Sequence, residues 1–150
     1  MSISAAITLT IVKKSKKMTW VDIIQLLLDN GWSINDHGMM SYLPLHDNDM
    51  FDWQREPINN EKLITILTEK ETLREQLGVC ITWKDTNIGG SLLAFSDDQV
   101  LFSIDINRQT MQVDKKDIVT DVNWYLSKIN PILLQNPDIY ITSTNFFEDI

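Results

Sequence analysis

VCITWKDTNIGGSLLAFSDDQVLFSIDINRQTMQV, residues 79–113, decides the fold. Val79 to Trp83 is β-branched and aromatic, and Lys84 ends that run. Asp85 to Gly90 reads as a long turn, and Ser91 to Phe95 as the next strand. Asp97-Asp98 makes a tight turn into a third strand, 100–106, and Asn107-Arg108 turns again into 110–113. Short strands separated by polar turns predict an antiparallel meander. Leu92, Leu93, Ala94 and Phe95 are apolar in succession, which predicts burial on both faces of that strand.

Helical periods flank the meander. Thr19 is an N-cap with Asp22 placed for a capping box, and Trp20, Ile23, Ile24, Leu27 and Leu28 share one face, so a helix is expected over 20–30. A second is expected over 61–77, capped by Asn59 or Asn60 and ended by Gly78. Its inner face is Leu63, Ile66, Leu67, Leu73 and Leu77, with Lys70 the one polar intruder. Its other face, Glu61, Glu69, Glu71, Arg74 and Glu75, reads as solvated surface. Asp117 is expected to cap a third helix over 118–130, stopped by Pro131. Residues 39–45 read as a strand that Pro44 ends or holds at an edge. Residues 139–144 read as a last strand, with Phe146 and Phe147 anchoring the end. Strands run together rather than alternating with helices, so the expected class is α+β: a mostly antiparallel sheet of about five to six strands with three helices packed on it.

Between the first two helices lies Leu-Pro-Leu-His-Asp-Asn-Asp-Met-Phe-Asp-Trp-Gln-Arg-Glu, residues 43–56. It has neither helical nor strand period and reads as an ordered loop or strand edge. Asp47, Asp49, Asp52 and Glu56 surround Met50, Phe51 and Trp53. Acids interleaved with aromatics suit a surface that meets a basic partner. The alternative is a solvated loop whose Phe51 and Trp53 turn into the core. Trp20, Trp83 and Trp124 fall on predicted elements and read as core, whereas Trp32 and Trp53 lie in loops and are candidate interface anchors. Asp97 and Asp98, in the meander turn, are the second group of candidate contacts.

The chain has 150 residues and a net charge of −8, with a pI of about 4.6. That charge argues against nucleic acid as a direct ligand and for a basic protein or a cation. One cysteine, Cys80, excludes an internal disulfide and suits a reducing, cytoplasmic setting. In residues 1–17 an apolar run precedes Lys13, Lys14, Lys16 and Lys17, the reverse of a secretory signal, and it is too short to span a membrane. These residues read as a flexible extension or an edge strand, and 18–150 as a single α+β domain with Met18 a possible initiator. Without those four lysines, 9 of the 13 basic residues remain against 21 acids, a charge of −12.

No catalytic signature appears. Gly89-Gly90 precedes no helix and so is no phosphate loop. Asp47 to Asp52 begins like a calcium loop but has Phe51 at a ligand position and Asp52 where the sharp turn needs glycine. His37 and His46 are nine positions apart with no helical pairing, and read as surface histidines. Cys80 reads as a small core residue. No cofactor and no metal site is expected.

A small, acidic, cysteine-poor α+β chain of this layout resembles bacterial immunity proteins, in particular those of the contact-dependent growth-inhibition (CdiI) type. The resemblance covers residues 18–150 and is carried by Asp29-Asn30-Gly31-Trp32, Leu43-Pro44-Leu45 and Asp52-Trp53. It implies a protein without enzymatic activity that occludes the active site of a cognate basic toxin, such as a nuclease. Two other readings stay open: a non-catalytic adaptor subunit, and a metal-assisted hydrolase using His37, His46, Asp47 and Asp49.

Overall fold

Ile7-Thr8-Leu9-Thr10-Ile11 alternates with the two-residue period of a strand, and Ile7, Leu9 and Ile11 are buried to 3 % exposure or less. In the computed structural model, which describes residues 4–15, 17–94, 98–114 and 118–149, this segment belongs to β1 (Ser4–Lys13). There follow α1 (Trp20–Asp29), β2 (Trp32–Ser33), β3 (Met39–Tyr42), β4 (Gln54–Pro57) and α2 (Asn60–Thr72). Then come β5 (Leu77–Trp83), β6 (Gly89–Ala94), β7 (Gln99–Ile106), β8 (Thr110–Gln112) and β9 (Ile118–Thr120). The chain closes with α3 (Val122–Leu134) and β10 (Ile139–Asp149).

The class is α+β, with three helices among the described residues. The main sheet has eight strands in the order β10-β1-β7-β6-β5-β3-β4, with β2 beside β5, and every described pair in it is antiparallel. Five to six strands was therefore too few. Of the missed strands, β1 and β2 have partners distant in sequence, whereas β4 folds back on β3 out of the stretch 43–56 that reads as loop or strand edge. β1 is bonded on both sides, to β10 and β7, so the expectation of a flexible extension or edge strand over 1–17 is corrected for its described part.

The meander runs from β5 to β7 and then leaves the sheet, because β8 pairs with β9 in a separate two-stranded sheet. The long turn before β6 is shorter than expected, since Gly89 and Gly90 lie inside the strand at a register shift. Leu92 and Ala94 are buried while Leu93 is half-buried, and Phe95 lies outside the described residues.

α1 follows its local signals: Thr19 and Asp22 exchange the reciprocal bonds of a capping box. α2 ends earlier than expected. Arg74 takes a left-handed φ of 60°, and the Glu75 N–H reaches back to the Lys70 carbonyl at 2.8 Å. That ending frees Leu77 and Gly78 for β5. α3 is shifted along the chain. Asp121 caps it, residues 118–120 form β9, and the expected cap Asp117 lies outside the described residues. Pro131 sits inside α3 and does not stop it. The apolar face continues past it through Ile132 and Leu133, and that burial offsets the lost backbone bond.

One core unites the elements. Trp20, Ile23, Ile24 and Leu27 of α1, Leu63 and Leu67 of α2, and Tyr125, Ile129 and Leu133 of α3 join Ile7, Leu9, Val79, Leu92 and Phe102 of the sheet. Trp32 belongs to this core, at 3 % exposure. Its indole N–H donates to the Lys128 carbonyl at 2.9 Å, and its ring meets Trp83 and Phe102 edge-on. The expectation that Trp32 anchors an interface is thereby corrected.

Candidate functional site

The antiparallel order sets one end of the sheet apart. β3 ends there and β4 begins there, so the acidic loop that joins them projects from that end. The β6–β7 connection, which holds Asp98, projects from the same end, with β5 between β3 and β6. Asp97 lies outside the described residues, and Asp98 is exposed. The acidic loop and Asp98 thus share one rim, about three strand spacings of ~4.8 Å apart.

The loop is held in an unusual shape. His46, Asn48, Asp49 and Phe51 all have left-handed backbones, with φ of 62°, 52°, 57° and 54°. Asparagine and aspartate tolerate that region, but for phenylalanine it is costly. Side chains fix it. Asp47 is 8 % exposed, and its carboxylate accepts from the N–H groups of Phe51 and Asp52, each at 2.9 Å. Glu75 accepts from the His46 N–H at 2.7 Å. Lys70, 1 % exposed, donates to the Pro44 carbonyl at 2.7 Å. The polar intruder on α2 is thus the internal strut of the loop.

The predicted contacts fall into two sets. Asp49 and Asp52 are exposed. Asp47 is turned inward and shapes the backbone. Glu56 is half-buried on β4, where it accepts from the Tyr42 hydroxyl and pairs with Lys62 at 2.8 Å. The Lys62 bond, then the Tyr42 bond, hold its carboxyl below the ordinary range. Burial, and then Glu56, push the Tyr42 hydroxyl up to about 12. Trp53 is half-buried. The apolar side chains that reach solvent are Met50, 76 % exposed, and Phe51, 49 % exposed. Sequence reasoning named these two as part of the loop but not as its contacts. The left-handed turn at Phe51 is what points it outward, and no local signal announces such a turn at phenylalanine.

Each histidine lies beside one carboxylate from outside the loop. His37 Nδ1 meets Asp36 at 2.6 Å, whereas His46 Nδ1 lies 3.4 Å from Glu75. Among the described residues no three His, Cys, Asp or Glu side chains gather as a metal-holding group. Cys80 is buried, and burial pushes its thiol up to about 11, so it stays protonated at neutral pH. It neighbours Ser91 Oγ at 3.7 Å, and Ser91 donates to Asp105 at 2.7 Å. No described helix is long and apolar enough to cross a membrane. The chain matches no protein-family model, no curated protein and no solved structure.

Proposed function

We propose that this chain is a cytoplasmic immunity protein that neutralises a cognate basic toxin, a nuclease, by filling the toxin's active site. The single observation that carries the reading is the braced loop. Asp49 and Asp52 stand beside Met50 and Phe51 on a backbone locked from beneath by Asp47, Lys70 and Glu75. A loop ordered before binding loses little entropy on docking. Exposed acids speed encounter with a positive groove, toward ~10⁸ M⁻¹s⁻¹ at low salt. Two apolar side chains at the tip supply the central buried contact. An interface of roughly 1,600 Å² built on such anchors reaches the nanomolar range that silencing a lethal enzyme requires.

The test is co-purification with the product of the neighbouring gene, followed by binding kinetics. Replacing Asp49 and Asp52 together by Asn should slow association about tenfold at low salt and flatten its salt dependence. Phe51→Ala should act instead on dissociation. If the acid pair changes and both the rate and the affinity stay intact, the loop is not the contact.

A further inference from the structure

We infer that β10 is the edge through which two copies of this chain pair, antiparallel and related by a two-fold axis. β10 is 11 residues long and terminates the sheet, bonded to β1 on one side only. A strand edge presents unpaired N–H and C=O groups, and proteins blunt such edges with lysine, proline or irregularity. From Ile139 to Phe147 β10 carries no charge and no proline. Its one irregularity is the extra residue Thr142, where the register with β1 shifts. Residues 143–149 beyond it form a regular edge, with Phe146 and Phe147 37 % and 58 % exposed.

Charge along this edge selects a second copy as the occupant. At its beginning Lys13 and Lys14, at the end of β1, outnumber the single carboxylate of Asp138. The Lys14 amide bonds the Asp138 carbonyl at 2.8 Å, and its ammonium lies 4.2 Å over the Tyr140 ring. Its other end carries Glu148 and Asp149. Arg108 holds Glu148 at 3.1 Å, whereas neither Lys14 nor Asp149 makes an ion pair among the described residues. Antiparallel pairing brings the acidic end of each copy toward the basic end of the other, while parallel pairing sets like charges together. A symmetric register about Phe146 places Phe146 against its equivalent, Asn145 opposite Phe147, and Ser143 opposite Asp149, each pair on one face of the sheet. Tyr140, with Lys14 over its ring, then lies three residues, about 10 Å along the strand, from the position opposite Asp149, so the two charges attract across solvent without forming an ion pair. The acidic loop is at the opposite edge of the sheet, beside β4, so pairing leaves it open. The inference stands independently of the toxin reading.

Sedimentation velocity of the full chain from about 1 to 200 µM tests it. A species of twice the 17.4 kDa chain mass is expected within that range. Phe147→Lys, at an exposed position, should weaken pairing at least about tenfold. At low salt Lys14→Asp and Asp149→Lys should each weaken it about two- to threefold, and the double variant should recover it. A chain that stays monomeric throughout overturns the inference, as does a dimer that all three single variants leave untouched. Single variants that weaken the dimer without recovery in the double variant overturn the antiparallel arrangement.

Discussion

Lys70 Nζ and Glu75 Oε1 meet at 3.3 Å beneath the acidic loop, with the lysine almost wholly enclosed and the glutamate side chain 19 % exposed. Each also holds the loop backbone, Lys70 at the Pro44 carbonyl and Glu75 at the His46 amide. Lys70→Met fills a similar volume but leaves the Pro44 carbonyl without its donor and strips the Glu75 carboxylate of its counter-charge, leaving it the His46 amide. Breaking a buried pair on one side costs about 3–5 kcal/mol, and the partial exposure of Glu75 reduces that to about 2–3. Urea denaturation should show the loss, and hydrogen exchange should show the His46 amide opening more often.

Asp47 and Asp49 are two residues apart and should behave as opposites. Asp47→Ala removes the acceptor for two loop amides and should cost about 1–2 kcal/mol, with lost protection at Phe51 and Asp52. Asp49→Ala touches an exposed side chain and should shift stability by less than about 0.5 kcal/mol. Thermal melts of the two single variants separate the roles. A substitution of all the loop acids at once would confuse a lost contact with a collapsed loop.

Local chemistry was legible and distant pairing was not. The capping box of α1 spans four residues, and its reading holds. Glu71 looked like solvated helix surface, yet its carboxylate accepts from the N–H groups of Trp20 and Val21 at 2.7 and 3.1 Å, across some fifty residues of sequence. β1 shows its two-residue period plainly in 7–11, but the lysines that follow it read as a tail. Its partners, residues 99–103 and 139–149, are too far along the chain to be inferred from one sequence. In the loop, the acid-and-aromatic composition marked the region. Which acid turns inward depends on the amides that the fold sets beside it.

Two glycines separate steric from conformational cost. A Cβ on Gly90 would lie 1.8 Å from the Ser103 carbonyl oxygen, where β6 and β7 approach at their register shift. Gly90→Ala should cost at least about 3 kcal/mol or prevent folding, because two backbones must separate. Gly38 has open space around it but a φ of 86°. Gly38→Ala should cost only about 1 kcal/mol. Chemical denaturation of the pair gives the comparison.

Removing residues 1–17 should abolish the fold, even though Met18 stands just before a strong helix signal. The deletion takes away Ala5, Ile7, Leu9 and Ile11, and the buried isoleucines and leucine contribute about 1.5–3 kcal/mol each. It also leaves β10 and β7 without the strand between them. The sum rivals the whole stability of an ordinary domain, about 5–15 kcal/mol. Circular dichroism and gel filtration of the 18–150 chain should show an unfolded or aggregated product. A cooperative unfolding transition in that chain would mean that the sheet closes without β1.

Two carboxylates should drive stability in opposite directions with pH. Burial raises the Asp105 carboxyl above its ordinary 3.8, although the Ser91 hydroxyl bond partly opposes it. Its folded form therefore holds the proton more tightly than the unfolded chain. The stabilisation is full below about pH 3.8 and is lost as pH rises through the raised value. Asp105→Asn keeps an acceptor for Ser91 and removes the cost of a buried charge, so at pH 7 its urea midpoint should exceed that of the parent. Glu56 has the other sign. Lys62 and Tyr42 hold its carboxyl below 4.5, so its contribution is present above pH 4.5 and disappears as pH falls through the lowered value. Glu56→Gln should lower the midpoint at pH 7. As pH falls both variants should approach the parent, Asp105→Asn from above and Glu56→Gln from below. Midpoints measured from pH 3 to pH 7 give both signs, and an Asp105→Asn variant less stable than the parent at neutral pH would show that its charge is needed where it stands.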